Sequence, residues 1–152
     1  MALVHETLHG SDTLGAVDFG SYAGRLSREL VSALTVGKAV QLRTEFDPFR
    51  MSIDVAVPCG LILNELISNA FKHAFPNDRA GRIWIELAQR QDGTVMLSVS
   101  DDGCGIPPDM DPNALPSLGS QMIFLLAQQL DGEVAITRSQ PTRVTVSFAG
   151  KQ

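Results

Sequence analysis

The amino-acid sequence predicts an α/β (α+β) domain built as a two-layer sandwich, with helices on one face of a mixed, mostly antiparallel sheet. Three observations predict it. Apolar residues change period along the chain, so that segments of helical spacing are set among segments of strand alternation. Two pairs of strand-like segments are joined by connections short enough to make antiparallel neighbours. The chain of 152 residues is long enough to bury one core and too short to promise two.

Taken in order, residues 1–9 carry Leu3, Val4 and Leu8 at helical spacing, and 10–18 read as a connector. Asp18 is a candidate cap for a helix over 19–35. Residues 40–46 alternate apolar and polar as a half-buried strand does, with 50–55 as its expected short partner. Pro58 suits the first turn of a helix running to Phe75, which Pro76, Asn77 and Asp78 stop. Strands are expected over 82–89 and 94–100, joined at Asp92-Gly93, a pair that favours a tight hairpin turn. Residues 101–116, rich in Gly, Pro and Asp, are too long for an ordinary connection and read as a lid over a site. Ser117 caps a last helix to Leu130, Asp131-Gly132 ends it, and strands over 133–138 and 143–148 close the chain. This order excludes a doubly wound fold.

Composition excludes several classes of partner. Twelve Lys and Arg against 17 Asp and Glu, without long like-charge runs, leave no basic patch to neutralise nucleic-acid phosphates, so no nucleic acid is expected. An acidic chain that binds a polyanion must recruit a divalent cation or aim backbone N–H groups at it. Cys59 and Cys104 lack C-x-x-C spacing, which signals neither a disulfide framework nor zinc and fits a reducing compartment. Apolar runs such as 122–127 fall far short of the ~20 residues that cross a bilayer. No secretory signal pattern opens the chain, so this piece is expected to be cytoplasmic and out of direct contact with membrane.

Three segments carry chemistry. In 61–75, Glu65, Asn69, Lys72 and His73 fall within about a third of a turn of each other, opposite Leu63, Leu66, Ala70 and Ala74. A solvated polar stripe is the plain alternative, but a helix otherwise so apolar should be largely buried, and a buried Glu and Asn need partners. In Asp101-Asp102-Gly103-Cys104-Gly105, two glycines permit close backbone approach to a ligand and a strand-end aspartate can accept hydrogen bonds from one. Alone, such a stretch is an ordinary turn. At 117–122, Gly119 and Ser120 open a helix whose free N–H groups and dipole can meet a phosphate. Their order along the chain makes them one arrangement.

These segments resemble the GHKL ATP-binding proteins: NELISNAFKHAF (64–75) is similar to their N box, DDGCGIP (101–107) to their G1 box and SLGSQMI (117–123) to their G2 box. Within that superfamily, 58–76 and the opening MALVHETL are most similar to the second HisKA class of sensor histidine kinases. The related HWE kinases fit less well, because Asn64 stands where they place a histidine and the strand before Asp101 lacks their W-x-E. The resemblance implies the GHKL histidine-kinase ATPase fold, with ATP and Mg²⁺ as ligands. It implies that Asp101 accepts the adenine amino hydrogen while Gly103 and Gly105 let the backbone close on the base. Asn69 would hold Mg²⁺, Lys72 and His73 would approach phosphate oxygens, and Gly119 and Ser120 would open the helix that receives the β and γ phosphates. Glu65 would be the catalytic residue, and Thr142 belongs to the family's late Gly-Thr, which reads Pro141-Thr142 here. Ser120, where the family usually has leucine, is the second departure.

The implied reaction moves the γ-phosphoryl of Mg-ATP to a histidine and thence to a response regulator. His5 and His9 do not resemble the acceptor motif. The expectation is therefore that 1–18 is a remnant of an upstream dimerisation and phosphoacceptor segment, that 19–152 is the catalytic domain, and that the histidine lies on an absent segment of the same protein, a homodimer when intact. Two other readings stay open: a degenerate phosphotransfer module that docks a regulator without ATP, and an anti-sigma-type serine kinase. Intact Glu65, Asn69 and Asp101 weigh against the first.

Overall fold

The computed structural model describes residues 16–34, 39–48, 50–74, 80–103, 118–137 and 141–149. The helix expected over 1–9 and most of the lid expected over 101–116 lie outside them. The chain enters on β1 (Ala16–Asp18), where the sequence suggested only connector, and passes into α1 (Phe19–Leu34). Asp18 caps α1 as expected: its Oδ1 accepts the Ser21 N–H at 3.2 Å and its Oδ2 the Ser21 hydroxyl at 3.0 Å. Phe19, Tyr22, Ala23, Leu26 and Val31 recur at helical spacing and are buried, while Arg25, Arg28 and Glu29 face solvent.

β2 (Val40–Phe46) is followed by β3 (Arg50–Ser52), which pairs not with β2 but with β1, antiparallel, aided by the Arg50 guanidinium donating to the Ala16 carbonyl at 2.7 Å. The hairpin expected between 40–46 and 50–55 is therefore absent. Its sequence cue was alternation, which fixes the face a residue presents and not the neighbour a strand takes. α2 (Ile53–Ala74) starts five residues before the expected Pro58, so that Pro58 sits inside the helix and the Asp54 carbonyl loses its helical donor.

The hairpin of β4 (Gly81–Gln89) and β5 (Thr94–Asp101) forms as expected. Gly93 takes φ +92°, a conformation glycine adopts without steric cost, and the Arg90 N–H closes the loop on the Thr94 carbonyl at 2.8 Å. α3 (Leu118–Gln129), β6 (Glu133–Thr137) and β7 (Thr142–Ala149) complete the chain. α3 ends with the Gly132 N–H on the Ala127 carbonyl and the Asp131 N–H on the Gln128 carbonyl, a Schellman motif whose left-handed residue is Asp131 at φ 53°.

The five-stranded sheet has the order β2-β4-β5-β7-β6; β2 runs parallel to β4 and all other pairs are antiparallel. One side is covered: α2 packs on β5, flanked by α1, which reaches β2, and by α3, which reaches β6 and β7. Between the layers lie Ile62, Leu63 and Ile67 of α2 and Ile83, Ile85 and Leu87 of β4, each at most 1% exposed and each contributing about 1.5–3 kcal/mol by burial. This is the expected two-layer sandwich. The stretch Ile53–Phe71 is long and apolar enough to cross a bilayer by composition alone, yet half of it is buried inside the protein as the central core helix.

Candidate functional site

β5 runs through the middle of the sheet and places Val95, Leu97, Val99 and Asp101 on its helix-covered side by simple alternation. The first three belong to the core. Asp101 follows them in as a charged group only 4% exposed, a position that requires polar partners. One is local: its Oδ1 accepts the Gly103 N–H at 3.0 Å, which bends the chain out of the strand. Across the ladders Asp101 is aligned with Ile83 of β4 and with Thr142 of β7. Residues 101 and 142, expected as site residues from separate motifs, are therefore direct neighbours at one end of the sheet.

Over β5 lies α2, carrying Glu65 and Asn69 one turn apart and half-buried, with Leu66 and Ala70 of the same helix turned into the core. The polar stripe and the Asp101 carboxylate thus lie on the same side of the sheet. Lys72 and His73 belong to the last turn of α2, and Gly119 and Ser120 to the first turn of α3, which packs against α2. Gly105, Cys104 and Ser117 fall outside the described residues. An open groove of about 610 Å³, lined by Phe124, Ala127, Gln128, Asp131, Gly132, Glu133 and Val134, lies toward the opposite end of the sheet and includes none of the expected site residues.

Among the described residues no cluster of three or more His, Cys, Asp or Glu could cage a metal ion. Mg²⁺ does not require such a cage, because it keeps several waters and substrate phosphate oxygens and takes few protein ligands. The half-buried Asn69 amide carries an oxygen of the type Mg²⁺ takes.

The sequence reading missed Asp102. Its side chain is exposed, on the other side of the strand from Asp101, and its Oδ1 accepts the Arg82 N–H at 2.7 Å while its own N–H donates to the Arg82 carbonyl at 3.2 Å. The available signal was the doubled aspartate itself, since an acidic residue at a strand end commonly bonds a nearby backbone N–H.

The model of histidine kinase-, DNA gyrase B-, and HSP90-like ATPases matches residues 54–151, which take in α2 from Asp54, the four strands β4 to β7 and α3. The chain is 28% identical over 122 residues to blue-light-activated histidine kinase 2 of Erythrobacter litoralis, covering 80% of this chain and 35% of that protein. It is 33% identical over 116 residues to the nitrate/nitrite sensor protein NarX of Escherichia coli, covering 74% of this chain and 18% of that one. The chain thus spans about a third or less of the length of these curated relatives. The solved histidine kinase domain of the Erythrobacter litoralis EL346 blue-light activated histidine kinase superposes with a TM-score of 0.86 at 25% identity, covering 96% of this chain and 74% of that one. With its sheet order, its central helix and its match over residues 54–151, this chain belongs to the family of histidine kinase-, DNA gyrase B-, and HSP90-like ATPases.

Proposed function

We propose that residues 19–152 form the cytoplasmic catalytic domain of a sensor histidine kinase. It binds Mg-ATP and transfers the γ-phosphoryl to a histidine on a dimerising segment of the same protein, and thence to a response regulator. The observation that carries this reading is the Asp101 carboxylate, buried to 4% exposure at the end of a central strand, beside Thr142 and on the side of the sheet covered by the Glu65–Asn69 stripe. A buried acceptor at a strand end suits a ligand that presents an N–H, as the adenine amino group does. Gly103 and Gly105 let the backbone approach the base. Lys72, His73 and the first turn of α3 with Gly119 and Ser120 receive the phosphates, whose charge a helix N-terminus favours. Asn69 would hold Mg²⁺, whose charge would offset that of the phosphates in this acidic chain.

Phosphoryl transfer asks the protein mainly for positioning and charge neutralisation. The incoming imidazole nitrogen forms a bond to the γ-phosphorus as the bond to the bridging oxygen breaks and ADP leaves. Glu65, half-buried on α2, polarises that imidazole. Calorimetric titration with a non-hydrolysable ATP analogue, with and without Mg²⁺, tests the reading. Mg²⁺-dependent binding that disappears in Asp101→Asn supports it, and absence of binding to the wild-type chain sinks it. With the histidine segment added in trans, Glu65→Gln should bind the analogue and fail to label the histidine.

A further inference from the structure

The last rung between β4 and β5 is closed by a side chain. At a hydrogen-bonded position of an antiparallel pair, the two facing residues exchange both N–H···O bonds through their own backbones. Asp102 and Arg82 complete one half this way, Asp102 N–H to Arg82 carbonyl at 3.2 Å, but the Arg82 N–H is received by the Asp102 carboxylate at 2.7 Å. This lets the chain turn away at Gly103 without stranding the Arg82 donor. It also fixes the residue immediately after Asp101 to the neighbouring strand. The Asp101 carboxylate, pointing to the opposite side, then has its direction set from both ends: by the ladder up to Ile83 and by the Asp102 rung beyond it. Asp101 in turn accepts the Gly103 N–H, so consecutive aspartates hold the turn from opposite sides of the sheet.

We propose that Asp102 is a positioning residue for the Asp101 site: its carboxylate, bonded to the Arg82 N–H, aims the Asp101 carboxylate at its ligand although Asp102 itself touches none. The proposal rests on the nucleotide-binding reading of Asp101. A matched control is built into the same hairpin. At its far end Asp92 is exposed and accepts the Thr94 N–H at 2.9 Å, a side-chain bond of the same kind remote from Asp101.

The experiment titrates the full chain and its Asp102→Ala, Asp102→Asn and Asp92→Ala variants with the non-hydrolysable ATP analogue, and follows amide exchange at Arg82 and Gly103. Asp102→Ala is expected to bind about tenfold more weakly, the worth of one hydrogen bond to a carboxylate, with faster exchange at Arg82. Asp102→Asn keeps an acceptor oxygen and should bind within about twofold of wild type. Asp92→Ala should leave affinity unchanged. Wild-type affinity in Asp102→Ala would overturn the proposal, as would an Asn variant as weak as Ala or an equal loss in Asp92→Ala. If the wild-type chain itself binds nothing, the nucleotide reading fails, whereas the outcomes just named sink the Asp102 role alone.

Discussion

Tyr22 and Gly60 meet where α1 lies against α2, and their contact predicts a coupled pair of substitutions. Tyr22 is 1% exposed and its hydroxyl has no hydrogen-bond partner among the described residues, a group whose burial is a net cost. A Cβ at Gly60 would fall on that hydroxyl and lie 3.0 Å from Cε2 and 3.1 Å from Cζ. Phe19, its ring centroid 5.3 Å from that of Tyr22, restricts the ring's retreat. Gly60→Ala therefore gains about 1 kcal/mol of helix propensity and incurs overpacking of roughly 1–3 kcal/mol, for a net loss of about 1 kcal/mol. Tyr22→Phe removes the unpartnered hydroxyl and should stabilise by about 1 kcal/mol, or roughly 2–4 °C in Tm for a chain of this size. In the Tyr22→Phe background the worst contact is gone while the two ring-carbon contacts remain, so Gly60→Ala should cost about 1 kcal/mol less than in the wild type. Urea denaturation of the four proteins measures this coupling directly. Strict additivity, or a Tyr22→Phe protein less stable than wild type, would refute the reasoning, the latter by showing that the hydroxyl is satisfied.

Three further outcomes follow from the described geometry. Burial raises the Tyr22 hydroxyl above its ordinary 10.0, with the neighbouring Cys59 adding to the shift, and burial alone raises the Cys59 thiol above 9.0. The folded chain keeps protons the unfolded chain gives up, so this stability is complete below pH 9 and is lost as pH rises, by about 1.4 kcal/mol per pH unit above 9.0 for Cys59 and again above 10.0 for Tyr22. Urea midpoints between pH 8 and 11 should fall accordingly, less steeply in Tyr22→Phe, and a flat profile would contradict the burial of both groups. Asp131 holds the left-handed position ending α3, so Asp131→Gly should raise stability by about 0.5–1 kcal/mol in the same assay. Gly132→Ala should instead lower it by about 1–3 kcal/mol, because a Cβ there would sit 2.5 Å from the Ser147 carbonyl oxygen.

Most elements were legible because their signals are local. Asp18 caps α1, Gly93 takes the positive φ of the hairpin loop, and Asp131-Gly132 ends α3, all from residues within a few positions of each other. What escaped is non-local. The alternation of 40–46 identified a strand but not its parallel partner β4, and nothing near Arg50 announces Ala16 across the intervening α1. Pro58 misled in a specific way: it is favoured in a first turn and merely tolerated inside a helix, and α2 carries it inside because five further residues upstream dock. The site shows the same division. Glu65 and Asn69 share a stripe by periodicity alone, whereas the adjacency of Asp101 and Thr142 depends on β7 pairing with β5. Strand-end aspartates were visible at 47, 92 and 102, but only the fold assigns Asp47 to the Gln89 N–H, Asp92 to the Thr94 N–H and Asp102 to the Arg82 N–H.

The strand order has a consequence for how the molecule assembles. β7, the last strand in sequence, is interior, with β5 on one side and β6 on the other. During synthesis β6 emerges with no sheet to join, since among the described residues its only ladder is with β7. The β2-β4-β5 half can pair first, but its β5 edge stays open until Thr142–Ala149 is delivered between the halves. Strand β7 also brings Thr142 beside Asp101, so the sheet is sealed and the candidate site completed in a single late event. A nascent chain stalled before residue 142 would carry every aspartate of the site and none of its closing wall, exposing an unpaired β5 edge of the kind that holdase chaperones recognise.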